Sequence, residues 1–277
     1  MVTSPRTLTW GLLLLLLGAT AGLVSHGLTQ RGMAQRGPVA STSLALKSFP
    51  PLQAERLGAL GPEGEPVAFI IAPAGATAPR PLHLVLPWRE APEAECRKWG
   101  QVVGAGWFVL CPKLPADTGA RDQPLNSPLY PSVSALEARL KAALGAAKAR
   151  FGKYLDKGPI SLSGEGLAAG RAVLLSRAEP AFFSRLLLVG AGYEDWSPVQ
   201  IQVFSERGGR RVVFLCEREN QNCQEGALHP VLMTRRFGVS ARVSLGDSGL
   251  LGNESPLGES FRWLWEDDLR FSVLKKP

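Results

Sequence analysis

Apolar positions along this chain recur in two rhythms. Short apolar runs at 66–72, 82–86, 107–111, 185–189, 211–216 and 241–245 have the length and punctuation of buried strands. Between them, apolar residues return every three or four positions, the spacing of a helix face. Cys96, Trp99 and Val103 share such a face in a helix predicted over 92–103. Val133, Leu136, Leu140, Leu144, Ala147 and Phe151 form the clearest helical stripe, with Ser132 placed to cap it. Further helices are predicted over about 167–177, 198–206 and 227–237. A last one carries Leu257, Phe261, Leu264 and Trp265 on one side. The first two runs, separated by a Pro/Ala/Gly stretch, predict a hairpin, and 113–131 predicts a long loop. Strands alternating with helices imply an α/β, mostly parallel sheet with helices on both faces, a three-layer sandwich.

The stretch ISLSGEGLAAGRAVLL, from Ile160 to Leu175, organises the rest. An apolar run passes through a turn of small residues straight into an Ala/Leu-rich helix. A nucleophile elbow, G-x-S-x-G, has this shape, because strand and helix close on each other only if the flanking residues are small. Gly164, Gly166 and Ala168 fit its first, third and fifth positions. The nucleophile position is therefore Gly166, which has no side chain.

Composition adds a compartment. The 277 residues are 45% hydrophobic and 20% charged, ordinary for a globular chain and long enough for one large domain. Arg6 precedes an apolar run over 8–24 with six consecutive leucines, and Ala19-Thr20-Ala21 offers a cleavage pattern. This predicts a signal peptide over 1–21, or an uncleaved N-terminal anchor that would tether the protein to the inner membrane. A polar, Gly- and Pro-containing tether is predicted over 22–60 and the folded domain over 61–277. The expected location is exported, periplasmic or extracellular. Four cysteines, Cys96, Cys111, Cys216 and Cys223, suit an oxidising compartment. Of three connectivities, spacing favours Cys96–Cys111 and Cys216–Cys223. No C-x2-C pair occurs and there are three histidines, so no metal and no cofactor is expected. The net charge of +7 comes without a basic block interleaved with aromatics, which argues against nucleic acid and is compatible with attraction to an anionic envelope surface.

Taken in order, the elements and motifs resemble the α/β-hydrolase superfamily. LSGEGLAAGRAVLLSRAEPAFFSRLLLVGAG, from Leu162, resembles the family's elbow, helix and following strand. PLHLVLPWREAPEAEC, from Pro81, resembles the strand and loop that carry its His-Gly motif, and GWFVLCP, from Gly106, resembles exported members with paired cysteines. The resemblance implies a triad and an oxyanion hole. The chain departs from it at separated positions. Gly166 replaces the nucleophile. Pro87-Trp88 replaces the His-Gly, and proline has no N–H to donate. The loop SLGDSGLLGNES, where the resemblance places the histidine, has none. Glu217 and Glu219 remain available where the acid is expected.

Losing serine and histidine together costs a triad enzyme on the order of 10^6-fold. The expectation is thus a degenerate hydrolase scaffold, a pseudoenzyme of the cell envelope that binds a small ligand or an envelope protein. Pro87, Trp88, Glu165, Gly166, Leu167 and Tyr193 would rim its pocket. The alternative is an exported serine hydrolase, carboxylesterase-like, with Ser163 or Ser161 as nucleophile, Glu217 as acid and a non-standard base. In that register Glu165 falls where a small residue is needed, and no base is evident; mid-strand His83 reads as a core histidine. Less favoured is dinucleotide binding through Gly164-x-Gly166-x-x-Ala169, where Glu165 would repel the diphosphate.

Overall fold

The computed structural model describes residues 58–60, 66–88, 91–114, 132–178, 183–247, 252 and 254–268. Strands β1 (Gly58–Leu60), β2 (Ala68–Ile71), β3 (Leu82–Leu86), β4 (Phe108–Pro112), β5 (Ile160–Glu165), β6 (Phe183–Val189), β7 (Arg211–Cys216) and β8 (Ser240–Leu245) form one sheet. Its order is β1-β2-β4-β3-β5-β6-β7-β8. β2 runs antiparallel to β1 and β4, and all the other pairings are parallel. Helices α1 (Pro92–Val103), α2 (Val133–Phe151), α3 (Leu167–Ala178), α4 (Pro198–Glu206), α5 (Gln221–Arg236) and α6 (Pro256–Leu264) complete it.

The sandwich has two apolar seams. Leu136, Leu140, Ala172, Ile201 and Val231 of α2 to α5 pack on one face of the sheet. Trp99 and Val102 of α1 pack with Leu257, Phe261 and Leu264 of α6 on the other. Alternation along β5 divides its side chains between the seams: Leu162 enters the first, and its neighbours Ser161 and Ser163 turn the opposite way. Ser132 is the cap that the sequence places ahead of α2, and Ser197 and Ser255 cap α4 and α6 in the same way. Ser132 accepts from the Ala135 N–H at 3.3 Å, Ser197 from Gln200 and Ser255 from Gly258.

Three boundaries differ from the pattern. The runs at 66–72 and 82–86 do not pair as a hairpin. β2 lies between β1 and β4, while β3 lies between β4 and β5; the link between them is too long for a tight turn and carries the chain across the sheet. Gly58–Leu60, assigned to the tether, pairs with Ala68–Ile70 as the edge strand. Helix α5 begins at Gln221 rather than Ala227, because the Asn220 side chain accepts from the Cys223 N–H at 3.0 Å and Cys223 is joined to Cys216 at the end of β7. The second disulfide, Cys96–Cys111, ties α1 to β4 across a Cα separation of 5.7 Å. Both pairings are those favoured by spacing. Most of the predicted loop at 113–131, and the N-terminal segment with its tether up to residue 57, lie outside the described residues.

Candidate functional site at the elbow

β5 ends at Glu165, α3 begins at Leu167, and Gly166 alone makes the turn with φ +56°. That left-handed conformation is costly for residues with a side chain and is where an elbow holds its nucleophile. The Gly166 N–H donates to the Val189 carbonyl at 2.9 Å, and the Ala169 N–H donates to Gly166 at 3.0 Å, so the turn is pinned to the next strand and to its own helix. The small neighbours are required. A Cβ on Gly164 would run into the Ala168 backbone, and one on Gly192 would stand 3.1 Å from the Ala169 carbonyl carbon.

The space beyond Gly166 is filled. A Cβ added there would meet the indole of Trp88, 2.7 Å from Nε1, 3.1 Å from Cδ1 and 3.3 Å from Cε2. Trp88 follows buried Pro87 at the end of β3, which parallel pairing sets beside the end of β5, with Leu86 opposite Gly164. The fold therefore brings Pro87, Trp88, Gly166 and Leu167 to one place. Trp88, expected at the rim of a pocket, occupies the position of the missing side chain.

The other predicted residues have partners of their own. Glu165 forms an ion pair with Lys98 of α1 at 2.8 Å, both side chains partly buried. The ring of Tyr193 lies where a Cβ on Gly226 of α5 would be. Glu217 is exposed at the end of β7, where its carbonyl accepts from Gln224 Nε2 at 3.0 Å. In the loop between β6 and α4, burial, then repulsion from Glu194, raises the Asp195 carboxyl above its ordinary value against the pull of Arg171.

Ser161 and Ser163 are fully buried, side by side with His83. The register sets His83 opposite Ser161 and Val85 opposite Ser163. His83 Nδ1 lies 2.8 Å from Ser161 Oγ, and Nε2 lies 3.0 Å from Ser163 Oγ. A histidine is thus within hydrogen-bond reach of Ser163, a contact not anticipated from the sequence, and His83 is buried with both ring nitrogens bonded, as expected of a core histidine. It is enclosed by Trp99 and Phe261, with ring centroids 5.0 and 4.9 Å away, and burial lowers its pKa to about 3, against the opposing effect of a hydrogen bond with the Ser161 backbone. This imidazole is neutral at physiological pH. The bracket was invisible in the sequence because 78 positions separate His83 from Ser161 and only the order β3-β5 makes them neighbours. Among the described residues no group of three or more His, Cys, Asp or Glu could hold a metal.

No protein-family model matches this chain, and no curated protein matches it. Solved structures do. S-formylglutathione hydrolase (FrmB) of Staphylococcus aureus aligns with TM-score 0.52 and 11% identity, over 78% of this chain and 99% of that one. A thermostable esterase aligns with TM-score 0.51 and 15% identity over 76% of this chain. Est1E of Butyrivibrio proteoclasticus aligns at 0.50 and 8%, over 78% and 97%. This chain spans 62% of the length of the thermostable esterase. Together with the strand order and the elbow, these likenesses show the α/β-hydrolase fold.

Proposed function

We propose that this chain is a non-catalytic α/β-hydrolase-fold protein of the cell envelope that acts by binding a small ligand or an envelope protein. One observation carries the reading. The elbow keeps its backbone geometry, but its nucleophile position is Gly166, and the Trp88 indole stands where the side chain would begin. Acyl transfer needs a nucleophile and a base in mutual reach, with room for the reacting carbon. Here the nucleophile is missing, its space is taken, and Pro87 replaces an oxyanion donor. The two disulfides fit an oxidising, exported setting.

One observation favours the rival, the 3.0 Å contact between Ser163 Oγ and His83 Nε2. Against it, both residues are fully buried and a second serine holds the other imidazole nitrogen. The dinucleotide reading would set a diphosphate beside the Glu165 carboxylate, which supplies no attraction for it.

Native mass spectrometry of the purified protein, with turnover of short-chain esters, tests the proposal. No turnover and a retained small molecule support the ligand form. No turnover, no retained molecule and an envelope protein recovered by cross-linking in the source cells support the partner form. Turnover lost in Ser163→Ala overturns both.

A further inference from the structure

We propose that the end of the domain opposite the elbow docks onto an anionic phospholipid surface. The proposal rests on the export reading and not on the absence of catalysis.

Strands β3 to β8 all run one way, so every helix that follows one of them returns to the same end. Exposed Lys153, Lys157, Arg207, Arg210, Arg235 and Arg236 gather there, on the helix ends and loops that feed β5, β7 and β8. Among the described residues the elbow end has the reverse balance: Glu194, Asp195, Glu217, Glu219 and Glu225 are exposed and Glu165 partly so, against exposed Lys113 and Arg218. Among the described residues, carboxylates at the basic end are engaged within the protein, Asp156 by accepting from the Gly158 N–H. Asp267 and Asp268 lie 3.1 and 3.7 Å from Arg185, Glu266 lies 3.4 Å from Arg211, and Glu206 accepts from Gln202. Part of this polarity follows from the preference for cations at helix C-termini, which accounts for Arg235 and Arg236. Lys153 directly follows Gly152, the C-cap of α2, and shares that preference, with its ammonium 4.9 Å from the Tyr154 ring centroid; Lys157 and Arg210 lie farther from the helix ends, where the dipole gives no such preference.

The path of the chain is the independent observation. β1 is antiparallel to β2, which is antiparallel to β4, so β1 starts at the basic end. The described chain therefore enters the domain at this end, at Gly58, after an apolar run at 8–24 and a stretch at 25–57. Chain that precedes Gly58 thus joins the domain at the same end as the cations, which favours that end for contact with lipid. Each cation within a Debye length of an anionic leaflet strengthens association on the order of fivefold.

The test is hydrogen exchange of the full chain with vesicles of phosphatidylcholine alone or mixed with phosphatidylglycerol. The expected result is slowing of at least about tenfold for amides at 152–158, 207–210 and 235–240 in the mixed vesicles only. High salt, and the variant Lys153→Glu, Lys157→Glu, Arg207→Glu, Arg210→Glu, should abolish it. The wild-type salt arm decides should that variant fold poorly. No lipid-dependent slowing, or slowing confined to 190–197 and 217–220, overturns the proposal. Ester turnover, measured separately, bears on the catalytic reading alone.

Discussion

Trp88 Nε1 lies 2.7 Å from the point where a Cβ on residue 166 would stand. An indole of this size is not displaced without loss of packing, so the elbow and the tryptophan are two halves of one closed arrangement. The turn keeps the backbone geometry of an elbow, and the space beyond it is filled by the indole.

Gly166→Ser should not create an enzyme. The new side chain must adopt φ +56° and displace the indole, at a cost of about 2–4 kcal/mol. In a double-mutant cycle with Trp88→Ala, measured by urea unfolding, the pair should cost about 1–2 kcal/mol less than the sum of the single changes. Additive effects would place the indole elsewhere.

Two glycines to alanine should move stability in opposite directions. In Gly164→Ala the new Cβ meets the backbone of Ala168 and, at 2.7 Å, the Ala169 nitrogen, so melting temperature should fall steeply. Gly145 lies within α2 with nothing within 4 Å of an added Cβ; there alanine should stabilise by about 0.5–1 kcal/mol through helix propensity.

Acid should weaken the fold earlier than carboxylate titration alone would. The ordinary histidine value is 6.5 and burial holds folded His83 at about 3. Between these limits the unfolded chain binds a proton that the folded chain does not. Stability is therefore complete above about 6.5 and falls by up to about 1.4 kcal/mol per pH unit below it. Urea midpoints between pH 6.5 and 5 should slope downward with acid in the native chain and flatten in His83→Gln.

Arg185 holds the end of α6 to the sheet. It is 3% exposed, donates through Nε to the Leu264 carbonyl at 2.7 Å, pairs with Asp267 at 3.1 Å and stacks 4.3 Å from the centroid of Trp265. Arg185→Met leaves that carbonyl without its donor and Asp267 without this partner. A loss of about 3 kcal/mol is expected by urea unfolding, at the low end for a broken buried pair because Asp267 is 37% exposed.

The sequence carried the architecture well because its signals are local. Ser132 and the stripe from Leu136 to Phe151 need only a cap and a period, and the elbow needs only its small residues at 164, 166 and 168. What escaped was non-local. The His83 bracket and the Lys98–Glu165 pair join strands and helices whose adjacency follows from the crossover β4-β3-β5. The separation of β2 from β3 has the same origin, since a ten-residue link at 72–81 reads equally as a loose hairpin or a crossover. Trp88 was legible as a residue at the elbow, but not as its occupant, because direction into a space is not written in spacing. Arg185 opens the apolar run at 185–189, and its partners Trp265, Asp267 and Asp268, which follow α6, come to it only in the fold.

Labelling of the purified protein with a fluorophosphonate probe, read by intact mass, in the native chain and in Ser161→Ala and Ser163→Ala, separates a silent elbow from an active serine. No adduct is expected in any of the three, because residue 166 is a glycine and Ser161 and Ser163 are fully buried. An adduct on the native chain that disappears in one of the variants would contradict this, and would make that serine, with His83 beside it, the nucleophile of an active hydrolase.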